Sequence, residues 1–380
     1  MNGLLDLSAA FDTIDHGILF SQLQHRLGIS GIALEWFKSY LSGRTQSVTV
    51  ENALSKESIL QFGVPQGSVL GPLLYTIYTL PLRDTLRKAN VFYHLYADDT
   101  QLYLSFNFQD ATSQLECLHQ MQDCVGNIKN WMVSNKLKLN DEKTEIMYIS
   151  SRFYQQQIIL QDFTIDNVKI VPAKSVRNIG IMFDNQMTMG AQVTSVCKAA
   201  HFHLRNIGRI RKSITYDACE KLIHAFVTSR LDCGNATLYG LPEYQNSRLQ
   251  RMLNIAARIL TLSPMFNNIT PVLVELHWLP IVQRIEYKIL LTTFKALHGK
   301  APQYICDLLK SKPNPRALRS SEAHLLAVPS TRTKTYGDRA FAAAAPKLWN
   351  KLPDGLRAFT EINAFKRELK TFLFKTAYNL

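Results

Sequence analysis

Apolar positions along the chain change their period near residue 190, and the change separates two kinds of predicted structure. Before it, short β-rich runs alternate with helical patterns. An apolar run ending at Leu5 reads as a strand leaving a core, followed by a turn through Ser8–Phe11. Ile18, Leu19, Leu23 and Leu27 then recur at helical spacing, with Asp12 expected as the N-cap of that helix. Gln46–Val50 and Ser58–Phe62 alternate like two strands of a hairpin, and Gly63–Gly67 interrupts the pattern before a helical run from Val69 to Leu80. Val91–Tyr96 and Thr100–Phe106 flank Ala97-Asp98-Asp99, which predicts a hairpin whose tip presents two carboxylates. Leu115, Leu118, Met121, Val125, Ile128 and Met132 mark an amphipathic helix over 111–133, and a polar turn at 140–143 leads into a strand over 144–149.

Beyond residue 190 the 3.6-residue period takes over, with helices expected at 191–210, 216–230, 246–262, 281–298 and 362–378. The pattern predicts an α+β layer, an antiparallel sheet with helices on one face, followed by a helical region. Residues 311–335, rich in Pro, Ser and Arg, read as a linker or extended arm. The organisation expected is therefore 1–190, 191–310, and 311–380 as linker and helical tail.

Charge sharpens this division. The chain of 380 residues carries a net +13, yet residues 1–200 hold 16 basic and 18 acidic groups, and residues 201–380 hold 27 and 12. A weakly acidic first part can support a carboxylate site, and a basic second part can follow a phosphate backbone. The same excess also suits an ordinary solvated surface. The first eleven residues lack the basic start of a signal peptide, and the longest apolar stretch, 69–82, is short and broken by Pro72 and Pro81. An intracellular protein, neither secreted nor membrane-bound, is the expectation. The six cysteines have no paired close spacing. Cys197, His201 and His203 on one helix lack a fourth metal ligand.

Chemistry is suggested by Asp6 at the end of an apolar strand and by Asp98 beside Asp99 at a hairpin tip. Adjacent carboxylates raise one another's pKa, and a hard divalent cation relieves that repulsion. Such a donor set suits two-metal phosphoryl transfer. Asp98 and Asp99 also suit a plain turn, which leaves both readings open on the residues alone.

The combination of motifs resembles a known family. Leu4-Leu5-Asp6-Leu7-Ser8-Ala9-Ala10-Phe11-Asp12, Gly63-Val64-Pro65-Gln66-Gly67-Ser68-Val69-Leu70-Gly71-Pro72 and Tyr96-Ala97-Asp98-Asp99 look like motifs A, B and C of reverse transcriptases. Leu139–Thr144 and Asn178–Ile181 are similar to motifs D and E, and Ser39–Gln46 has the wording of non-LTR (LINE-type) retrotransposons. Arg339-Ala-Phe and 345–353 resemble, less specifically, the tail of such elements.

The resemblance implies a partial right-hand polymerase palm over 1–190, a helical basic thumb over 191–310 and a C-terminal tail. It implies RNA-templated DNA synthesis from dNTPs on a DNA primer, with two Mg²⁺ ions, or Mn²⁺ in their place, held by Asp6, Asp98 and Asp99. Phe11 matches the steric gate against the ribose 2′-hydroxyl, and Gln66, beside Gly67, matches the contact to the incoming nucleotide. Lys143 matches the lysine that protonates the leaving pyrophosphate. Tyr96 and Ala97 match the primer end, and Asn178, Ile179 and Gly180 the primer grip. Arg205, Arg209, Arg211 and Lys212 form the densest basic cluster of the implied thumb. From the residues alone, Phe11 also suits a core aromatic, and Lys143 and the cluster also suit solvated positions. The sequence starts five residues before Asp6, where family members carry fingers, and in many elements an endonuclease, further upstream. The expectation is a truncated copy with intact carboxylates and impaired synthesis, or alternatively an inactive nucleic-acid-binding remnant. A nuclear and cytoplasmic location goes with either.

Overall fold

The computed structural model describes residues 1–8, 10–159, 163–165, 168–312 and 324–380. They form two compact units of mixed α and β structure, residues 1–180 with 184–186, and residues 181–183 with 187–380. The boundary falls near the predicted change of period.

The first unit is built on a four-stranded antiparallel sheet of β1 (Asn2–Leu5), β2 (Phe92–Tyr96), β3 (Asp99–Tyr103) and β4 (Glu145–Met147), in the order β4-β1-β3-β2. Long-range pairing thus brings the first residues of the chain between strands from 100 and 145 residues later. Leu5, Leu102 and Ile146 are buried on the sheet, and Met121, Val125 and Ile128 bury the apolar stripe of α1 (Ala111–Ser134) in the same core. Contact is close enough that a Cβ on Gly3 would lie 3.2 Å from Ile146 Cδ1 and 3.7 Å from Met121 Sδ. The expected hairpin at 46–62 is two short ladders, Thr45–Gln46 with Ser58–Ile59 and Thr49–Val50 with Ala53–Leu54.

One capping expectation is corrected. The helix His16–Ser21 is capped by Asp15, whose Oδ1 accepts from Ile18 N at 3.0 Å, and not by Asp12. An N-cap carboxylate must sit immediately before the first helical residue, and Asp12 lies three residues too early.

The second unit is helical, with α2 (Gly190–Ile210), α3 (Glu243–Thr261), α4 (Ile281–Leu297) and α5 (Ile362–Tyr378) around one core. The sequence left open whether the C-terminal tail folds with the helical region; residues 324–380 belong to this unit, and their aromatic and aliphatic side chains complete its core. Trp349 is buried with Nε1 donating to His324 O at 2.9 Å, and the Phe365 ring stacks on Phe294 at 4.2 Å. Asn350 pairs like a strand with Leu326, accepting its N–H at 2.9 Å and donating to its carbonyl at 2.8 Å. Residues 313–323 of the expected linker lie outside the described residues, but Leu326 just after them is in the core. The Pro, Ser and Arg content of 311–335 read as a linker or extended arm and did not reveal that Leu326 is a core residue. No described helix is long and apolar enough to cross a membrane.

Candidate active site

Strand register does most of the assembly. β1 and β3 pair antiparallel with Leu4 opposite Gln101 and Leu5 opposite Thr100, the last pair of the ladder, so Asp6 just after Leu5 and Asp99 just before Thr100 come to the same end of the two strands. β2 and β3 pair with Tyr96 opposite Asp99, leaving Ala97 and Asp98 as the two-residue turn. Ala97 takes φ +52°, a left-handed conformation that favours Gly and costs an alanine about 1 kcal/mol. Such strain at the tip is held by the ladder behind it.

Three carboxylates therefore gather at the end of the two central strands of the sheet. Asp99 has its pKa raised, first by burial and then by the charges of Asp98 and Asp6, with Lys143 acting in the opposite direction. Tyr75, 2% exposed beneath the site, has its hydroxyl pKa pushed up by burial and by the same three carboxylates.

Asp6 is tied on all sides. Its Oδ1 accepts from Leu7 N at 2.9 Å, its carbonyl accepts from Asn140 N at 2.9 Å, and its Oδ2 pairs with Lys143 Nζ at 2.9 Å. The lysine is presented by a single turn of 3₁₀ helix, Asp141–Lys143, capped by Asn140. The hydrogen bond and charge of Asp6 raise the Lys143 pKa. In this arrangement Lys143 is a weaker acid than a free lysine, against the lowered pKa that proton donation to pyrophosphate requires.

The loop 63–67 docks on the turn that follows Asp6. Gly63 N donates to Ile14 O at 2.8 Å, Val64 N donates to Phe11 O at 2.9 Å, and His16 Nε2 lies 2.8 Å from Gly63 O. A Cβ on Gly63 would meet Asp12 O at 3.0 Å, and its φ is +89°, so only glycine permits this approach. Gly67 also has a positive φ, +81°, with open space around it. Phe11, half-buried, stacks on Tyr75 at 5.0 Å. Gln66 Nε2 donates to Asp12 Oδ1 at 2.9 Å, which makes Asp12 the anchor of the glutamine amide.

Tyr96 and Ala97 are exposed at the hairpin tip. Asn178 Nδ2 donates to Gln101 Oε1 at 3.0 Å, and Gln101 Nε2 donates to Asn2 Oδ1 at 3.1 Å, so an amide chain ties the 178–180 turn to the sheet. Ile179, exposed at the tip of that turn, takes φ +45°, an outlier for a β-branched residue.

The basic cluster of the second unit divides. Arg205, Arg209 and Lys212 are exposed. Arg211 instead donates to Ile259 O at 3.0 Å, Ile214 O at 3.0 Å and Leu260 O at 2.9 Å, satisfying the end of α3, and its guanidinium is not free for phosphate. Sequence reasoning missed Tyr75, His16 and Gln101. The aromatic at 75 and the amide at 101 carry no local pattern; only pairing over many residues brings them to the site.

Among the described residues, no three His, Cys, Asp or Glu side chains converge as a ready metal site. The chemistry of the donors still fits a hard divalent cation, because burial and then the charges of Asp98 and Asp6 raise the Asp99 pKa, and added positive charge relieves both.

Residues 3–183 match the family described as reverse transcriptase (RNA-dependent DNA polymerase), a stretch that nearly coincides with the first unit. A probable RNA-directed DNA polymerase from transposon BS of Drosophila melanogaster is 25% identical over 272 residues, covering 69% of this chain and 29% of that protein. An RNA-directed DNA polymerase from mobile element jockey of Drosophila funebris is 26% identical over 198 residues, covering 50% of this chain and 20% of its own length. The probable polymerase from the X-element of Drosophila melanogaster is 28% identical over 196 residues, with coverage of 50% and 20%. The chain thus spans less than a third of the length of these relatives. Residues 3–183 are thus similar to the reverse transcriptase family and to RNA-directed DNA polymerases of transposons and mobile elements.

Proposed function

We propose that this chain carries out RNA-templated DNA synthesis, adding dNTPs to a DNA primer, as part of a non-LTR retrotransposon. The carrying observation is the β1–β3 register, which ends at Leu5 opposite Thr100 and brings Asp6 and Asp99 to one end of the ladder, with Asp98 on the adjoining turn. On this reading the first unit is a polymerase palm and the second a thumb, whose exposed Arg205, Arg209 and Lys212 follow duplex phosphates.

Asp6, Asp98 and Asp99 would hold two Mg²⁺ ions, which when bound stabilise the attacking and leaving oxygens. The chain's own residues do the rest. Phe11, braced by Tyr75 behind and by the Gly63 loop on its carbonyl, stands where a 2′-hydroxyl is excluded. Asp12 holds Gln66 toward the incoming nucleotide, and Gly67 leaves the loop open beside it. Lys143 donates its proton only after release from Asp6. Asn178, Ile179 and Gly180 support the primer end near Tyr96 and Ala97.

The second reading, nucleic-acid binding without synthesis, is favoured by the same Lys143–Asp6 pair, since an ammonium already neutralises the carboxylate that a metal would need. Extension of a DNA primer on an RNA template separates the two. Mg²⁺-dependent incorporation that Asp98→Ala abolishes is the expected result. Retained duplex binding with no incorporation under any metal would sink the synthesis reading.

A further inference from the structure

The second unit contains a polar cavity of about 420 Å³ far in sequence from the carboxylate turn. Its lining includes Asn235, Asp232, Arg284, Trp278, Lys288 and Lys370. We infer that this cavity binds one unstacked guanine nucleotide, either free or within single-stranded RNA.

Asn235 is 3% exposed, and its buried Oδ1 has no hydrogen-bond partner among the described residues. The amide orientation follows from its neighbour: Nδ2 donates to Asp232 Oδ1 at 3.4 Å, and reversing the amide would set two acceptors against each other. A buried acceptor without a donor costs about 1–3 kcal/mol. Asn235 lines the cavity, and a small rotation of its side chain on ligand entry would let a ligand N–H remove that cost.

Asp232 supplies further acceptor capacity beside it. Its carboxylate is fixed by Arg284 Nη1 at 2.8 Å, while Arg284 Nε donates to Leu279 O at 2.8 Å, so the pair is held from behind. Two neighbouring acceptors call for two neighbouring donors. Among the four bases, only guanine places a ring N–H and an exocyclic amino group side by side on its Watson–Crick edge; adenine and cytosine offer the amino group alone, and uracil a single N–H.

The rest of the cavity suits the remainder of a nucleotide. Trp278, Tyr287 and the His224 ring, 5.7 Å from Trp278, give aromatic lining, the usual support for a splayed base. Lys288 and Lys370 are exposed on the rim, where a phosphate would lie. The volume is within the range of small-molecule sites. This inference does not depend on synthesis in the first unit.

The test uses the full chain in EDTA, so that metal-dependent triphosphate binding is not read. GMP, AMP and two short RNA oligonucleotides, one U-rich with a single G and one with that G replaced by U, are titrated by calorimetry. GMP is expected to bind saturably and at least about tenfold tighter than AMP. The exposed double variant Lys288→Ser/Lys370→Ser should weaken GMP about tenfold with its circular dichroism melt unchanged, and Asn235→Ala should remove the preference over AMP. If the single-G oligonucleotide binds tighter than GMP, the source is RNA; if GMP binds and the oligonucleotide does not compete, it is a free nucleotide. No saturable GMP binding up to about 5 mM, equal binding of AMP, or binding unaffected by the lysine substitutions would each overturn the inference.

Discussion

The two units use their charged side chains in opposite ways. In the first, the site is zipped together by main-chain hydrogen bonds, and the charges are left near one another at the end of the central strands. In the second, arginines act as internal braces. Arg211 donates to three carbonyls, and Arg258 to Pro264 O and Asn267 O. Arg339 donates to Tyr239, Met187, Thr335 and Thr237 carbonyls, and Arg357 to Asn350 and Leu352 carbonyls and the Asp354 carboxylate. A guanidinium is suited to this, with five donors in a rigid fork and weak hydration. The lesson is that the basic excess of residues 201–380 overstates the surface offered to a phosphate backbone. Part of it satisfies helix ends and loops.

The contrast can be broken by removing one arginine of each kind. Arg339→Ala leaves four carbonyls without their donor and should destabilise the second unit by about 3 kcal/mol, read as a lowered denaturation midpoint. Arg205→Ala should change stability by less than about 0.5 kcal/mol while lowering the salt slope of nucleic-acid binding by about 0.9. If Arg339→Ala altered only the salt slope, the brace assignment would be wrong.

Gly63→Ala tests the main-chain zipper of the first unit. The added methyl meets Asp12 O and must hold a positive φ, a cost of about 2 kcal/mol. The Val64–Phe11 bond should loosen with it, so hydrogen exchange at Val64 N should rise while exchange in α3 is unchanged.

A smaller effect sharpens the charge side of the comparison. Folding raises the Asp99 pKa, so the native state binds its proton more tightly than the unfolded chain does. Ionisation of this group therefore opposes folding. Its contribution declines as pH rises from the ordinary carboxylate range through the raised pKa. The carboxyl carbon of Asp99 should titrate above the usual range by NMR, move further up in Lys143→Met, and fall when Mg²⁺ is added. A titration in the normal range, insensitive to Lys143, would show that the three carboxylates do not feel one another.

Much of the site was legible in local sequence. The hairpin tip Ala97-Asp98-Asp99, the polar turn before Lys143 and the loop at Gly63–Gly67 each stand between apolar runs, and the structure has them as turns. The long helices were legible for the same reason, since a 3.6-residue stripe over several turns has few alternatives. α5 runs over 362–378, as its periodicity predicts. Partners were not legible. Asp12 looked like a helix cap because it precedes a helical pattern, yet Asp15 caps the helix and Asp12 holds Gln66. Arg211 looked like a phosphate contact because it stands among other basic residues, yet its carbonyl partners lie 48 and 49 residues further along.

The sequence by itself determined where the chain turns, which stretches are helical, and which motifs resemble those of reverse transcriptases. These depend on spacing within a few residues, where side-chain period and turn chemistry act directly. Only the tertiary structure decided that Asp6 and Asp99 meet at one end of a ladder, that Tyr75 is buried within reach of their charges, that the last described residues complete the second core, and which arginines are engaged as braces. Each of those outcomes depends on pairing between residues tens to a hundred positions apart, which is set by the burial of a shared core and has no signature in any local window.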